Sequence, residues 1–142
     1  MSRDQLVTDW VAGRFPDQSI QITPASADAS FRRYFRLTLP DGSTRILMDA
    51  PPDKEDCKPF IHVAGLLAKA KLAAPRVLDH DLDNGFLVLT DLGRIGYLDA
   101  INADLSLADT LMRPVLDTLV QWQLSTKAGV LPPYDATLLR RE

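Results

Sequence analysis

The chain has 142 residues, 46% of them hydrophobic and 25% charged, with a formal net charge of −3; this composition suits a soluble protein with room for one substantial core. The slight acidity removes any general electrostatic reason to bind nucleic acid, so a cationic site has to be local. A single cysteine, Cys57, excludes an internal disulfide and a zinc cluster. The N-terminal residues lack the apolar run of a signal peptide, and no apolar stretch approaches the roughly 20 residues that span a bilayer. The expected setting is the cytoplasm, with neither membrane nor nucleic acid as partner.

In chain order, Ser2 and Gln5 give a Ser-x-x-Gln helix start. Leu6, Val7, Trp10 and Val11 follow at helical spacing, and Gly13 closes the segment. Residues 18–25 alternate around Ile20 and Ile22 and end near Pro24, which predicts an edge strand. Residues 33–39 read as a strand with Phe35, Leu37 and Leu39 on one face. Pro40-Asp41-Gly42-Ser43 is a tight turn, and residues 44–48 return antiparallel. After a break at residues 50–56, Phe60, Val63, Ala64 and Leu67 mark one face of a helix that fades near Leu72. Pro75 precedes a strand opened by Arg76-Val77-Leu78. Asp83-Asn84-Gly85 is a hairpin turn, and residues 85–90 form an apolar strand. Beyond Gly93 the pattern is helical, with a short turn over residues 97–101 and a longer segment over 105–127. Ser106 and Asp109 offer that segment a capping box, and Pro114 predicts a kink or a late start. Five antiparallel strands with one inserted helix, followed by helices, make an α+β fold. Residues 135–142 begin a helix too short to stand alone in water, so the sequence reads as part of a longer polypeptide.

The most informative stretch is residues 26–36, Ser-Ala-Asp-Ala-Ser-Phe-Arg-Arg-Tyr-Phe-Arg. A turn of small residues lets backbone N–H groups approach an anion, and Arg32, Arg33 and Arg36 stand ready to add charge-assisted hydrogen bonds. That pattern points to a phosphate or nucleotide site. Adjacent strand residues point opposite ways, so only one of Arg32 and Arg33 can face such a ligand. The competing reading is a solvated strand face, with Asp28 and Ser30 acting only as turn formers. Asp49 is expected to cap the turn before Pro51-Pro52, and residues 53–56 to form a solvated loop. Asp79, His80, Asp81 and Asp83 read as surface residues rather than metal ligands. Cys57 has no catalytic partner nearby, and Trp10 and Trp122 suit packing.

The order of elements and several local motifs resemble the aminoglycoside-phosphotransferase branch of the protein-kinase-like fold. More narrowly they are similar to bacterial cell-wall sugar kinases acting on N-acetylmuramate and N-acetylglucosamine at the anomeric carbon. The segments that carry the resemblance are residues 27–36, Met48-Asp49-Ala50-Pro51-Pro52, Phe86 through Gly93, Tyr97-Leu98-Asp99 and residues 131–135. The resemblance implies a kinase-like N-terminal lobe over residues 1–92, then a hinge and an incomplete helical lobe over 93–142. It implies that Ser26, Asp28, Ala29, Ser30 and Phe31 cover the phosphates of ATP, with Arg32 or Arg33 as the cation. Thr90, Asp91 and Leu92 would form the hinge against the adenine edge, with Ile46 and Leu89 as apolar floor and wall. The third-strand position that carries a Lys or Arg in such kinases falls on Met48 or Asp49, and residues 60–72 offer no acidic partner. No catalytic-loop motif occurs, so catalytic residues and the ligands of Mg2+ are expected outside this chain, which alone should be inactive. Two alternatives keep the fold: transfer to an aminoglycoside, choline or another small alcohol, and a non-catalytic, pseudokinase-like interaction module.

Overall fold

The structure is a computed structural model that describes residues 2–27 and 30–141. Ser2 caps helix α1 (Arg3–Arg14), its hydroxyl accepting the Gln5 N–H at 3.2 Å. The strands are β1 (Gln21–Ala27), β2 (Arg33–Thr38), β3 (Thr44–Asp49), β4 (Val77–Asp81) and β5 (Phe86–Thr90), with α2 (Lys58–Lys69) between β3 and β4. Among the described residues they form one antiparallel sheet in the order β1-β2-β3-β5-β4. The excursion through α2 lets β5 return beside β3 and leaves β4 at the edge. Pro24 lies in the opposite edge strand, where its missing N–H is harmless, and the register shifts between Pro24 and Ser26.

Each face of the sheet has its own core. On one face Leu37, Leu47, Phe86 and Val88 pack with Val7 and Val11 of α1, joined by Leu6, Trp10, Phe15, Ile22 and Phe35. On the other, Met48, Ala50, Leu87 and Leu89 pack with Cys57, and with Phe60 and Ile61 of α2. β5 is therefore buried on both sides, which explains its unbroken apolar run. Burial raises the Cys57 thiol pKa, in keeping with an inert thiol.

One charged residue lies inside this apolar frame. Asp49 is fully buried, and it does not cap the turn before Pro51. Its Oδ1 accepts from Arg3 Nε at 2.7 Å, and its Oδ2 accepts from Arg33 Nε at 2.9 Å and Nη2 at 2.6 Å. Arg3 also donates to the Asn84 carbonyl and lies 4.6 Å above the Phe86 ring. Arg33 reaches Asp4 at 2.6 Å. Two guanidinium groups thus fasten α1 to β2 and β3 through one carboxylate. The expected cluster around β4 is likewise structural: Asp79 chelates Arg14, and Asp81 accepts from Trp10 Nε1 and Asn84.

The β4–β5 turn admits only glycine at its end. Gly85 has φ +70°, and a Cβ there would lie 1.9 Å from the Ala50 carbonyl oxygen. That approach lets the Ala50 N–H donate to the Gly85 carbonyl at 2.8 Å, tying the end of β3 to the turn.

By contacts the chain divides into two units, Met1–Lys69 with Ala73–Ile95, and Ala70–Leu72 with Gly96–Glu142. The second contains α3 (Tyr97–Ala103), a 3-10 turn (Leu105–Leu107), α4 (Ala108–Ser125) and α5 (Ala136–Arg141). The capping box expected of Ser106 and Asp109 does not form: Asp104 caps the 3-10 turn, its Oδ1 accepting from Ser106 N at 2.9 Å, while α4 begins without a side-chain cap and Asp109 pairs with Arg113. Helix α4 runs through Pro114 instead of starting after it, although the ring removes one helical donor. Many of its apolar side chains, including Leu116, Leu119, Val120 and Trp122, are exposed.

Replacing Asp49 by Asn should cost about 2–4 kcal/mol, because two charge-assisted pairs to a buried carboxylate lose their anion. Arg33→Ala should cost less, since Arg3 still neutralises Asp49. Urea unfolding of the three proteins measures both, and equal losses would contradict the shared-carboxylate arrangement.

Candidate functional site

Strand register sorts the expected site residues onto faces. Ser26, Tyr34, Met48 and Leu87 form one row across β1, β2, β3 and β5. Thr23, Arg36, Ile46 and Leu89 form the next row. Both rows lie opposite α1, so Ser26, Ile46, Met48 and Leu89 share a face. Met48 is the third-strand residue on that face, and it is apolar and fully buried. Asp49 faces α1. No cation of β3 is therefore aimed where the resemblance would put one, and α2 carries no acidic residue.

The three arginines have three destinations. Arg33 turns to the α1 face and is occupied by Asp49 and Asp4. Arg36 is buried on the other face and grips the Asp91 carboxylate with Nε and Nη2, while Nη2 also donates to the Gly93 carbonyl at 2.8 Å. Arg32 stays beside the loop: its N and Nε donate to Ser30 Oγ at 3.2 and 3.0 Å. A cleft of about 330 Å³ at this end of the β1–β2 hairpin is lined by Pro24, Ser26, Ser30, Arg32, Arg33, Tyr34 and Phe35. Asp28 and Ala29 lie outside the described residues.

Glu55 belongs to this group, and the sequence pattern concealed it within an apparently solvated loop. Its Oε1 accepts the Phe31 N–H at 3.2 Å, and its Oε2 lies 3.7 Å from Arg32 Nε. The Phe31 ring is exposed, with Lys54 Nζ 4.7 Å above it. The 24-residue separation between Phe31 and Glu55 leaves no local signal. The one available clue was an acid-bearing turn directly after the strand that pairs with β2.

At the expected hinge, Thr90 is fixed to Arg76 by two bonds, Thr90 N to the Arg76 carbonyl at 3.0 Å and Arg76 N to Thr90 Oγ1 at 2.9 Å. Asp91 is held by its side chain, while Leu92 is exposed. The Arg36 guanidinium, aided by the Gly93 N–H, keeps the Asp91 carboxyl well below the usual carboxylate range. The pair thus ties the segment 90–93 to the middle of β2. Because the folded pKa is depressed, the stability Asp91 supplies is complete above its unfolded pKa of about 3.9 and is lost as pH falls further. Asp91→Asn should therefore cost about 2–4 kcal/mol at pH 7. The gap from wild type should hold down to about pH 5 and shrink below about pH 4. Denaturant titrations across pH measure it, and a gap that widens toward acid would contradict the assignment.

The phosphotransferase enzyme family matches residues 21–141. Among curated relatives, the N-acetylmuramate/N-acetylglucosamine kinase of Pseudomonas aeruginosa is 55% identical over 122 residues, covering 86% of this chain and 35% of that protein. The Pseudomonas putida protein of the same name is 45% identical over 139 residues, 98% of this chain and 40% of the relative. The Neisseria meningitidis protein, again of that name, is 38% identical over 144 residues, 100% of this chain and 42% of the relative. The chain thus spans 35–42% of the length of these relatives. With an antiparallel five-stranded sheet, an inserted helix and a family match across most of its length, the chain belongs to the phosphotransferase enzyme family.

Proposed function

We propose that this chain is the nucleotide-positioning portion of an ATP-dependent kinase. Its acceptor is an amino sugar, N-acetylmuramate or N-acetylglucosamine, phosphorylated at the anomeric hydroxyl during recycling of cell-wall sugars in the cytoplasm. The observation that carries the reading is the 38–55% identity to three kinases of that name. In this reading residues 1–92 are the nucleotide lobe, and 93–142 are the hinge with the first helices of an acceptor lobe.

The described residues have the chemistry to hold ATP. Ser30, the Phe31 N–H and Arg32 supply hydroxyl, amide and guanidinium donors within three consecutive residues, a set matched to phosphate oxygens. Ile46, half-buried on that face, offers apolar surface to a purine with its cross-strand partner Leu89 buried behind it. The backbone of Asp91 and Leu92 remains for the purine edge, since the Thr90 N–H is spent on the Arg76 carbonyl. Arg32, not Arg33, is the cation of this site, because Arg33 is committed to Asp49 on the opposite face. Bound MgATP supplies the phosphoryl group, and its divalent ion neutralises charge during transfer. Among the described residues no group of three His, Cys, Asp or Glu side chains is placed to hold a metal ion. The Mg2+ ligands and the proton-accepting carboxylate would come from the part of the relatives that this chain does not span, so the chain alone would bind without turnover.

The apolar Met48 favours a second reading, a pseudokinase-like module in which the lobe serves as a scaffold. Calorimetry with MgATP separates the two, since a scaffold gives no binding heat.

Two outcomes are expected in the natural polypeptide that carries this sequence. It should phosphorylate N-acetylmuramate and N-acetylglucosamine and leave kanamycin untouched; preferential transfer to kanamycin would replace the acceptor assignment. Arg32→Ala should raise the KM for ATP about tenfold or more, while Arg33→Ala should lower thermal stability with KM within about twofold of wild type. The reverse pattern would put the phosphates on the α1 face.

A further inference from the structure

We propose that Glu55 is a built-in anion that occupies the phosphate loop when no nucleotide is bound, and that a triphosphate must displace it. The inference rests on the nucleotide reading of Ser30, Phe31 and Arg32 and adds its regulation.

The Glu55 carboxylate divides its oxygens between two of the donors assigned to phosphate. Oε1 takes the Phe31 N–H at 3.2 Å, and Oε2 faces Arg32 Nε at 3.7 Å. A phosphate oxygen needs the same positions, so carboxylate and phosphate compete for one cradle. A polyanion beside an unmoved Glu55 would also be repelled at short range.

Glu55 is presented from a fixed support. The N–H groups of Lys54 and Glu55 both donate to the Pro51 carbonyl at 2.9 Å, and Ala50, fully buried, donates to the Gly85 carbonyl at 2.8 Å. Pro51 and Pro52 stiffen the connection further. The post therefore belongs to the sheet, and the loop is what it holds.

The contact is also looser than the carboxylate pairs of Arg33 and Arg36. Arg33 and Arg36 meet their carboxylates through hydrogen bonds of 3.0 Å or less. The 3.7 Å separation between Arg32 and Glu55 is an ion pair without a direct hydrogen bond. A pair of this kind can be exchanged for a phosphate oxygen at closer range, whereas the Asp49 and Asp91 pairs are built to persist.

The test compares wild type, Glu55→Gln and Glu55→Ala in the natural polypeptide, titrated with MgATP and separately with inorganic tripolyphosphate. Asp53→Asn, which removes an equal charge from an exposed position two residues away, controls for general electrostatics. Displacement predicts that Glu55→Gln tightens both ligands by about fivefold, with Asp53→Asn within about twofold of wild type. It also predicts that amide exchange around Phe31 is faster in ligand-free Glu55→Ala than in wild type, at unchanged exchange in β3 and β5. If both Glu55 variants, folded by that exchange criterion, bind more weakly, Glu55 orients Arg32 and the displacement idea fails while the nucleotide site stands. Unchanged affinity also overturns it. If no variant, wild type included, binds either ligand, both the displacement idea and the nucleotide reading fall.

Discussion

The Asp49 carboxylate, buried without solvent contact and shared between Arg3 and Arg33, constrains everything around it. A lone buried carboxylate would be prohibitively unstable, so a cationic partner is obligatory, and here two guanidinium groups share the task. By meeting that requirement they pin α1 to the sheet and fix the parity of β2. Once Arg33 faces α1, the pleat sends Tyr34 and Arg36 to the other side. The face that the nucleotide reading assigns to a ligand is thereby set by an ion pair on the opposite face.

The arginines beside the loop then divide their tasks by position. Arg33 holds the N-terminal helix, Arg36 holds residues 91–93, and Arg32 stays with the loop. Each buried cation has a carboxylate in reach, and among the described residues no buried side-chain polar atom lacks a partner. The absence of a cation on the side of β3 that faces α2 is consistent with this arrangement. Met48 fills the core against α2, and in the proposed nucleotide reading the positive charge would come from Arg32, the residue just before β2. The loop and the expected hinge are in this way both referenced to β2, one through its first residues and the other through Arg36.

Much of this architecture could be read from local pattern. The alternation of Phe35 and Leu37, the Pro-Asp-Gly-Ser turn, the Asn-Gly turn and the apolar run of β5 are set by neighbours in sequence, and the antiparallel sheet follows them. Ser2 begins a helix for an equally local reason, an acceptor three residues before an unsatisfied N–H. Local pattern is less reliable where two nearby groups offer the same service: Asp104 caps a 3-10 turn at Ser106, and α4 begins without the Ser106–Asp109 box. At Asp49 it misleads, because the adjacent prolines suggest a turn cap while the carboxylate's partners lie 16 and 46 residues away.

The sequence by itself determined the kind of fold, the strand order's local hairpins, and the neighbourhood of a candidate anion site, because small side chains, glycine turns and hydrophobic periodicity act over a few residues. Only the tertiary structure decided which arginine faces that site, that Asp91 is clamped from β2, and that Glu55 reaches the loop. Those outcomes depend on pleat parity and on charges brought together across 16 to 55 residues of chain, and the spacing of residue types carries no record of either.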